Sequence, residues 1–188
     1  MLRSAKQQLR QQLLQARQDI PDHERQAKSN MIRERLLGLP DVINAATIFC
    51  FISFADEVDT HALIRRLQQQ GKIIVVPKTL PGGKMAAILL KSWDSLETDS
   101  FGILVPGSSE PYPSGIDTCL TPGVGFSPTG QRLGYGRGYY DNWFAEHRVG
   151  CKIGIGYDCQ VRQHIPVDET DVTLDKIVTE TAIYTVKD

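Results

Sequence analysis

One eleven-residue run contains most of the side chains with recognisable chemistry. Residues 131–141 read Gln-Arg-Leu-Gly-Tyr-Gly-Arg-Gly-Tyr-Tyr-Asp. Glycines let backbone N–H groups approach a ligand closely, and successive N–H groups in such a turn form an anion-binding concavity. Arg132 and Arg137 add guanidinium groups that suit phosphate oxygens, and Asp141 offers the hard oxygen ligand that Mg²⁺ prefers. The first hypothesis is therefore a phosphate-binding loop with its own metal ligand.

The glycine spacing alone is weak support for that hypothesis. No Gly-Lys-Ser/Thr follows, as a Walker A loop requires, and the spacing is not the G-x-G-x-x-G of a dinucleotide site. A glycine- and tyrosine-rich surface turn before a helix is the usual explanation of three glycines in five residues. The two arginines, the tyrosines and the carboxylate in the same run favour a ligand site.

Length and charge narrow the class of protein. A chain of 188 residues fits one domain with an ample core. The 21 Lys and Arg residues nearly balance the 22 Asp and Glu residues, whereas nucleic-acid binders usually carry a basic excess. No apolar run reaches the length of a transmembrane helix, and the N-terminus lacks the apolar core of a signal peptide. We therefore expect neither a nucleic-acid partner nor a membrane partner.

The cysteines and histidines do not form a metal-binding pattern. No C-x-x-C pair occurs among the four cysteines, and the four histidines are scattered, so a zinc site is not predicted. Three cysteines lie in or beside apolar runs, where a free thiol packs as a small hydrophobe. We expect reduced thiols and a cytoplasmic protein.

The elements that must position the glycine run alternate between helix and strand. Apolar residues at helical spacing predict a helix over residues 2–18 and a second one that Asp22 caps and that runs to Leu37. Continuous apolar runs predict buried strands at 45–52 and 72–77, with a helix between them. Residues 102–118 are predicted to form a long loop. Further strands are predicted at 85–91, 116–121, 152–156 and 177–179, and a helix at 139–147.

This order of elements predicts the fold class. Strand, helix and strand follow one another with short connections, which is typical of a parallel sheet. We predict a three-layer α/β/α single domain over residues 1–188, with a mostly parallel central sheet. Ligands bind such sheets beyond the carboxyl ends of the strands. The segments expected at that edge, because each follows a predicted strand, are 53–57, 77–78, 122–131 and 156–158.

Several motifs occur in a specific order along nearly the whole chain. They are Lys6-Gln-Gln-Leu-Arg10, Asp56-Glu57, Pro77-Lys78, Phe101-Gly102-Ile103, Pro122-Gly-Val-Gly-Phe126, the run from Gly130 to Asp141, and Leu174-Asp175. Together they resemble the 5-formyltetrahydrofolate cyclo-ligase (methenyltetrahydrofolate synthetase) family. The resemblance implies ATP- and Mg²⁺-dependent cyclisation of 5-formyltetrahydrofolate to 5,10-methenyltetrahydrofolate, with release of ADP and phosphate. The formyl oxygen would be phosphorylated and N10 would attack.

The resemblance also implies roles for individual residues. It places ATP binding at Lys6, Arg10, Arg132, Leu133, Gly134, Tyr135, Gly136, Arg137, Gly138, Tyr139 and Tyr140. It places substrate binding at Ile52, Glu57, Phe101 and Tyr140, and metal binding at Asp141 and Asp175. Without it, Lys6 and Arg10 would be interpreted as a solvated basic face, Asp175 as a capping or surface acid, Glu57 as a solvated turn carboxylate, and the aromatic residues as core.

Two alternatives and one departure from the family pattern stay open at this point. Leu104-Val105 stands where many relatives carry a proline and an acidic residue, which leaves the substrate-side role of that segment undecided. One alternative is a folate- or nucleotide-binding protein without turnover. The other is an enzyme for a sugar phosphate or a coenzyme A substrate on a similar sheet, since fold does not fix function. We expect small-molecule partners, ATP and a reduced folate, and a monomer.

Overall fold

The chain forms a seven-stranded central sheet in the computed structural model, which describes residues 2–99 and 102–186. The helices are α1 (Leu2–Gln18), α2 (Asp22–Leu37), α3 (Pro40–Ile43), α4 (His61–Gln69) and α5 (Tyr139–Glu146). The strands are β1 (Thr47–Cys50), β2 (Ile73–Leu80), β3 (Lys84–Leu89), β4 (Leu96–Thr98), β5 (Leu104–Pro106), β6 (Ile116–Thr121), β7 (Gly125–Phe126), β8 (Arg132–Leu133), β9 (Val149–Ile155), β10 (Lys176–Val178) and β11 (Ile183–Thr185). Phe101 lies outside the described residues.

The central sheet is mostly parallel, which confirms the predicted fold class. Its strand order is β11-β10-β9-β6-β1-β2-β3. The five inner strands pair in parallel, and β3 and β11 close the two edges in antiparallel pairs. Strand β11 was not predicted, because only a three-residue stretch near the end of the chain forms it. The carboxyl ends of β1, β6 and β9 lie at one edge of the sheet, next to the glycine run.

Alternate residues of the inner strands are buried on opposite faces of the sheet. In β1, Ile48 and Cys50 join the apolar cluster under α2, α3 and α4, whereas Phe49 joins the cluster formed with α5. In β2, Ile74 and Val75 separate in the same way. Because both faces of the sheet are covered, the inner strands show continuous apolar runs instead of alternation. Helices on both faces make the predicted three layers.

Several local predictions need correction. Pro77-Lys78 does not follow a strand: β2 continues to Leu80, because these residues pair with β3 across a tight hairpin. Asp22 is the first residue of α2 and makes no side-chain capping bond. The predicted loop over 102–118 contains β5, which pairs with β4. Within the described ranges, no helix has the length and apolarity needed to cross a membrane. All four cysteines are free thiols, as expected.

A phenylalanine ring anchors the loop that follows β6. Phe126 is fully buried, and its ring lies against Gly123, Gly154 and Gly156. A Cβ atom built on Gly123 would be 2.6 Å from a ring atom, and one built on Gly154 or Gly156 would be 2.7 Å from it. Only glycine leaves room for the ring at these positions. The next glycine in this loop, Gly125, makes room in the same manner for Leu13 of α1.

The close packing around Phe126 gives a stability prediction. In Gly154→Ala the new methyl group would lie 2.7 Å from Phe126, 2.8 Å from Leu174 and 2.9 Å from Ile177. We expect a loss of about 1–3 kcal/mol in the free energy of unfolding, the usual cost of overpacking a core. Urea denaturation measures it. Gly115→Ala is the matched control, because apart from Gly115 and its chain neighbours no atom of the described residues lies within 4 Å of that Cβ position. Equal midpoints for the two variants would contradict this account.

Candidate functional site

The glycine run forms one wall of a cleft of about 700 Å³. All eleven residues predicted to bind ATP line this cleft, together with the predicted metal ligand Asp141. Helix α1 supplies Lys6 and Arg10 on the opposite side. The structure thus brings together residues that are separated by more than a hundred positions in the sequence. The cleft is lined by cationic side chains and by backbone that can face an anion.

The glycines are required by the backbone of the loop. Gly136 and Gly138 have φ angles of 98° and 69°, a region that residues with a Cβ rarely adopt. Gly138 is the last residue before α5, so the loop turns directly into that helix. The first N–H groups of α5 have no partner within the helix and lie at the cleft. A loop of this shape followed by a helix start suits a phosphate group.

Helix α1 holds the loop and a second segment across the cleft. Arg10 Nε donates a hydrogen bond to the carbonyl oxygen of Gly134 over 2.7 Å. One turn earlier, Lys6 Nζ lies 2.7 Å from Asp168 Oδ2 and 2.5 Å from Asp171 Oδ2. Burial opposes the charged form of Lys6, but the hydrogen bonds to these two carboxylates outweigh it and raise the Lys6 pKa. Lys6 is therefore a fixed cation at the cleft.

An ion pair joins the two ends of the glycine run. Arg132 Nη2 lies 2.8 Å from Asp141 Oδ2, and the Arg132 side chain is only 5% exposed. The other Asp141 oxygen accepts a hydrogen bond from the Val172 N–H over 3.1 Å. The Nε atom of Arg132 is buried and has no hydrogen-bond partner within the described part of the chain. The guanidinium also lies 5.5 Å from the centre of the Tyr140 ring.

The acidic residues of the site differ from the predicted pair. Asp168 and Asp171 line the cleft with Asp141, although the sequence analysis did not select them. They belong to a polar loop without periodicity, so only their spacing of three residues was available as a signal. Asp175 does not line the cleft; its Oδ2 accepts the Lys152 N–H over 2.6 Å and lies 3.2 Å from Lys152 Nζ.

A preformed cage for a metal ion is not present among the described residues, since they contain no group of three or more His, Cys, Asp or Glu side chains placed to hold one. Mg²⁺ does not require such a cage, because it keeps several waters and uses one or two carboxylates together with substrate phosphates. Asp141 and Asp171 at the cleft fit that donor set. Each now contacts a cation or a backbone N–H group.

A second, more apolar cavity of about 480 Å³ adjoins the cleft. Ile52, Glu57 and Tyr140, three of the four residues predicted to bind the organic substrate, line it. The fourth, Phe101, lies outside the described residues, and Leu104 and Val105, the residues that depart from the family pattern, are in the lining. The residues that line both cavities are Pro122, Tyr135, Tyr139 and Tyr140. A ligand in one cavity would therefore be next to a ligand in the other.

Glu57 is an acidic residue of the second cavity, and both of its carboxylate oxygens accept hydrogen bonds. Its Oε2 accepts the Phe54 N–H over 3.0 Å, and its Oε1 accepts the Tyr135 hydroxyl over 2.5 Å. Between them, Ala55 has a φ of 52°, in the region that favours glycine. Burial raises the pKa of Glu57, and the hydrogen bonds from Tyr135 and Phe54 oppose that shift. A carboxylate in this position can accept N–H groups from a flat heterocycle.

The fold and the paired cavities define an α/β protein that can hold a polyanion beside a flat organic ligand. The sequence model of the 5-formyltetrahydrofolate cyclo-ligase family matches residues 2–180. The chain belongs to this family, and it is therefore an enzyme of the ligase class.

Individual relatives agree with this assignment over nearly the full chain. The 5-formyltetrahydrofolate cyclo-ligase of Escherichia coli K12 is 31% identical over 179 residues, which cover 90% of this chain and 97% of that protein. The enzyme of the same name from Mus musculus is 30% identical, covering 94% of each. The solved structure of Aquifex aeolicus 5,10-methenyltetrahydrofolate synthetase superposes with a TM-score of 0.86 at 30% identity, covering 97% of this chain and 93% of that one.

The Arg132–Asp141 pair gives a second prediction. Asp141→Asn leaves a buried guanidinium without its counterion, whereas Arg132→Met combined with Asp141→Asn removes both charges. We expect the double variant to be less destabilised than the sum of the two single variants, by about 1 kcal/mol or more. Chemical denaturation of the four proteins in the cycle measures this coupling. Strict additivity would show that the two side chains do not stabilise each other.

Proposed function

We propose that the protein catalyses the ATP- and Mg²⁺-dependent cyclisation of 5-formyltetrahydrofolate to 5,10-methenyltetrahydrofolate, releasing ADP and phosphate. The observation that carries the proposal is the contact between the two cavities. A cation-lined cleft with a glycine loop shares four lining residues with an apolar cavity that holds a fixed carboxylate. Family membership supports the choice of this reaction among those that such a site could perform.

ATP would bind in the glycine-loop cleft. Its phosphates would face the loop from Arg132 to Tyr140, with Lys6 and Arg10 on the side of α1. The unpartnered Arg132 Nε is a donor that a phosphate oxygen would satisfy. Loop N–H groups and guanidinium groups that are already fixed cost little reorganisation when the transferring phosphoryl group gains charge.

The folate would bind in the apolar cavity. Glu57 would accept N–H groups of the pterin, while Ile52 and Tyr140 would pack on its rings. Phe101, which the sequence also predicts to bind the substrate, lies outside the described residues. Because Tyr135, Tyr139 and Tyr140 line both cavities, the formyl group would lie at their junction and face the terminal phosphoryl group of ATP. Holding the two reactants in contact is the main contribution that the protein makes to a phosphoryl transfer.

The chemistry balances with these two substrates alone. The γ-phosphoryl group moves from ATP to the formyl oxygen, which forms an O–P bond as the bond to ADP breaks. The lone pair of N10 then attacks the activated formyl carbon. The C–O bond breaks, phosphate departs with the former formyl oxygen, and N10 loses its proton. Phosphorylation is needed because an amide-like oxygen is otherwise a poor leaving group.

We place Mg²⁺ at Asp141, together with the phosphates of ATP. When bound, the ion would neutralise charge on the transferring phosphoryl group. Asp171 is the second carboxylate that the cleft offers. Asp175 remains the second ligand predicted from the sequence, although its carboxylate is engaged with Lys152. We further propose that the protein is cytoplasmic, for which the four free thiols are the supporting feature, and that it is a monomer.

Mixing the protein with MgATP and 5-formyltetrahydrofolate tests the reaction. We expect growth of the methenyltetrahydrofolate absorbance band and release of one ADP for each product molecule, because phosphorylation and cyclisation are linked. Controls without ATP, and with EDTA added, should stay flat. Tight binding of both ligands without product would instead identify a folate- and nucleotide-binding protein that does not turn over.

The two candidate second ligands of the metal can be separated by turnover. Asp171→Asn should lower kcat by roughly two orders of magnitude, the effect of losing one electrostatic stabiliser of the transition state, and excess Mg²⁺ should restore part of it. Asp175→Asn should change thermal stability more than the dependence of kcat on Mg²⁺. The reverse pattern would assign the metal to Asp175 and leave Asp171 as the partner of Lys6.

A further inference from the structure

A buried arginine of α1 contacts both sides of the junction between the two cavities. Arg17 has a side chain that is 5% exposed. Its Nε and Nη2 atoms donate to the two oxygens of Asp56, over 3.0 and 2.9 Å, in a bidentate pair. Its remaining nitrogen, Nη1, donates to the Tyr135 hydroxyl over 2.8 Å. One guanidinium therefore holds the turn after β1 and the glycine loop at the same time.

The Tyr135 hydroxyl connects Arg17 to Glu57. It accepts from Arg17 and donates to Glu57 Oε1 over 2.5 Å. A hydroxyl that accepts from a cation is polarised and becomes a stronger donor. The second oxygen of Glu57 is held by the Phe54 N–H. The carboxylate thus has one fixed orientation, and its neighbours determine that orientation from both sides.

The geometry of α1 indicates that this contact serves the site. Arg10 and Arg17 are seven residues apart, about two helical turns, so they lie on one face of the helix. They hold consecutive loop residues, Arg10 at the Gly134 carbonyl oxygen and Arg17 at the Tyr135 hydroxyl. A buried ion pair alone is weak grounds for a stabilising role, because apolar residues of similar volume often do as well. The third contact of Arg17 is directed at a group that lines both cavities.

We propose that Arg17 is a positioning residue that acts through Tyr135 to orient the Glu57 carboxylate for the pterin. Arg17 lines the apolar cavity but not the ATP cleft, and its three guanidinium nitrogens are taken up by Asp56 and Tyr135. The proposal rests on the proposed function for the identity of the ligand. The relay from Arg17 through Tyr135 to Glu57 stands on the observed hydrogen bonds.

The relay also controls when Glu57 is charged. Burial raises the Glu57 pKa; the Tyr135 hydrogen bond, the Phe54 N–H and the Arg17 charge lower it, and the neighbouring Asp56 raises it. Removing the Tyr135 hydroxyl or the Arg17 charge therefore raises the Glu57 pKa further. Pterin binding needs the ionised carboxylate, so the pH below which folate affinity is lost should move upward.

Two variants test the proposal, so that the test does not depend on one substitution that could prevent folding. Tyr135→Phe removes only the relaying hydroxyl of a side chain that is 49% exposed. Arg17→Met combined with Asp56→Asn removes both members of the ion pair, so that no buried charge is left unpaired. Arg33→Met is the control, because it removes an arginine whose ion pair with Glu34 lies on α2. Arg17→Lys retains the charge and should recover part of the effect.

We expect both test variants to raise the KM for the folate about tenfold, the lower end of the effect of losing a charge-assisted hydrogen bond. The KM for ATP should rise much less than the KM for the folate. In Tyr135→Phe the acid limb of kcat/KM for the folate should move to higher pH, because a hydrogen bond that lowers the Glu57 pKa is lost. In the double variant the loss of Asp56, which raises that pKa, opposes the loss of Arg17, so the acid limb should move less. A carboxyl NMR titration, assigned with Glu57→Gln, should report the same upward shift without turnover.

Each outcome is decisive. An unchanged folate KM and an unchanged Glu57 titration would overturn the relay. Equal increases in the KM values for folate and ATP would also overturn it, since they would mean that Arg17 only supports the loop. Absence of turnover in the unmodified protein would refute the proposed function and leave the NMR titration of Tyr135→Phe to confirm or reject the relay independently.

Discussion

The site depends on the missing Cβ atoms of a few glycines beneath it. Gly123, Gly154 and Gly156 leave the space that the Phe126 ring fills, and that ring fixes the segment from β6 to the glycine loop against the sheet. In the same segment, the backbone at Gly125 is approached by Leu13, which brings α1 against the loop. Protein interiors are closely packed, so these contacts determine where the cleft lies. The packing of Phe126 and Leu13 against these glycines thus determines where the phosphate-binding loop lies.

Several charged groups of the cleft are held by partners before any ligand arrives. Arg132 is paired with Asp141, and Lys6 with Asp168 and Asp171. Groups that are already oriented lose little entropy on binding. They also keep the cleft from presenting bare buried charges, which would be costly in the free protein. When a ligand binds at this site, these side chains would exchange protein partners for ligand atoms.

The sequence predicted the elements far better than the contacts between them. Apolar runs located every inner strand, because strands that are buried on both faces have a distinctive composition. The glycine loop was also found, since its residues are contiguous. Asp168, Asp171 and the Arg17–Asp56 pair were missed, because a polar loop or a buried ion pair across 39 residues leaves no periodic signal in one sequence. Pro77-Lys78 was misplaced because a strand's end depends on its pairing, here with β3.

The span of the contacts made by α1 has a consequence for how the chain folds. Arg10 and Lys6 find their partners 124 and up to 165 residues later. A helix in a protein takes most of its stability from tertiary packing, so α1 lacks these stabilising contacts until those segments exist. During synthesis at roughly 5–20 residues per second, that interval lasts on the order of ten seconds. Helix α1, which is made first, can therefore complete its contacts at the cleft only when most of the chain has been made.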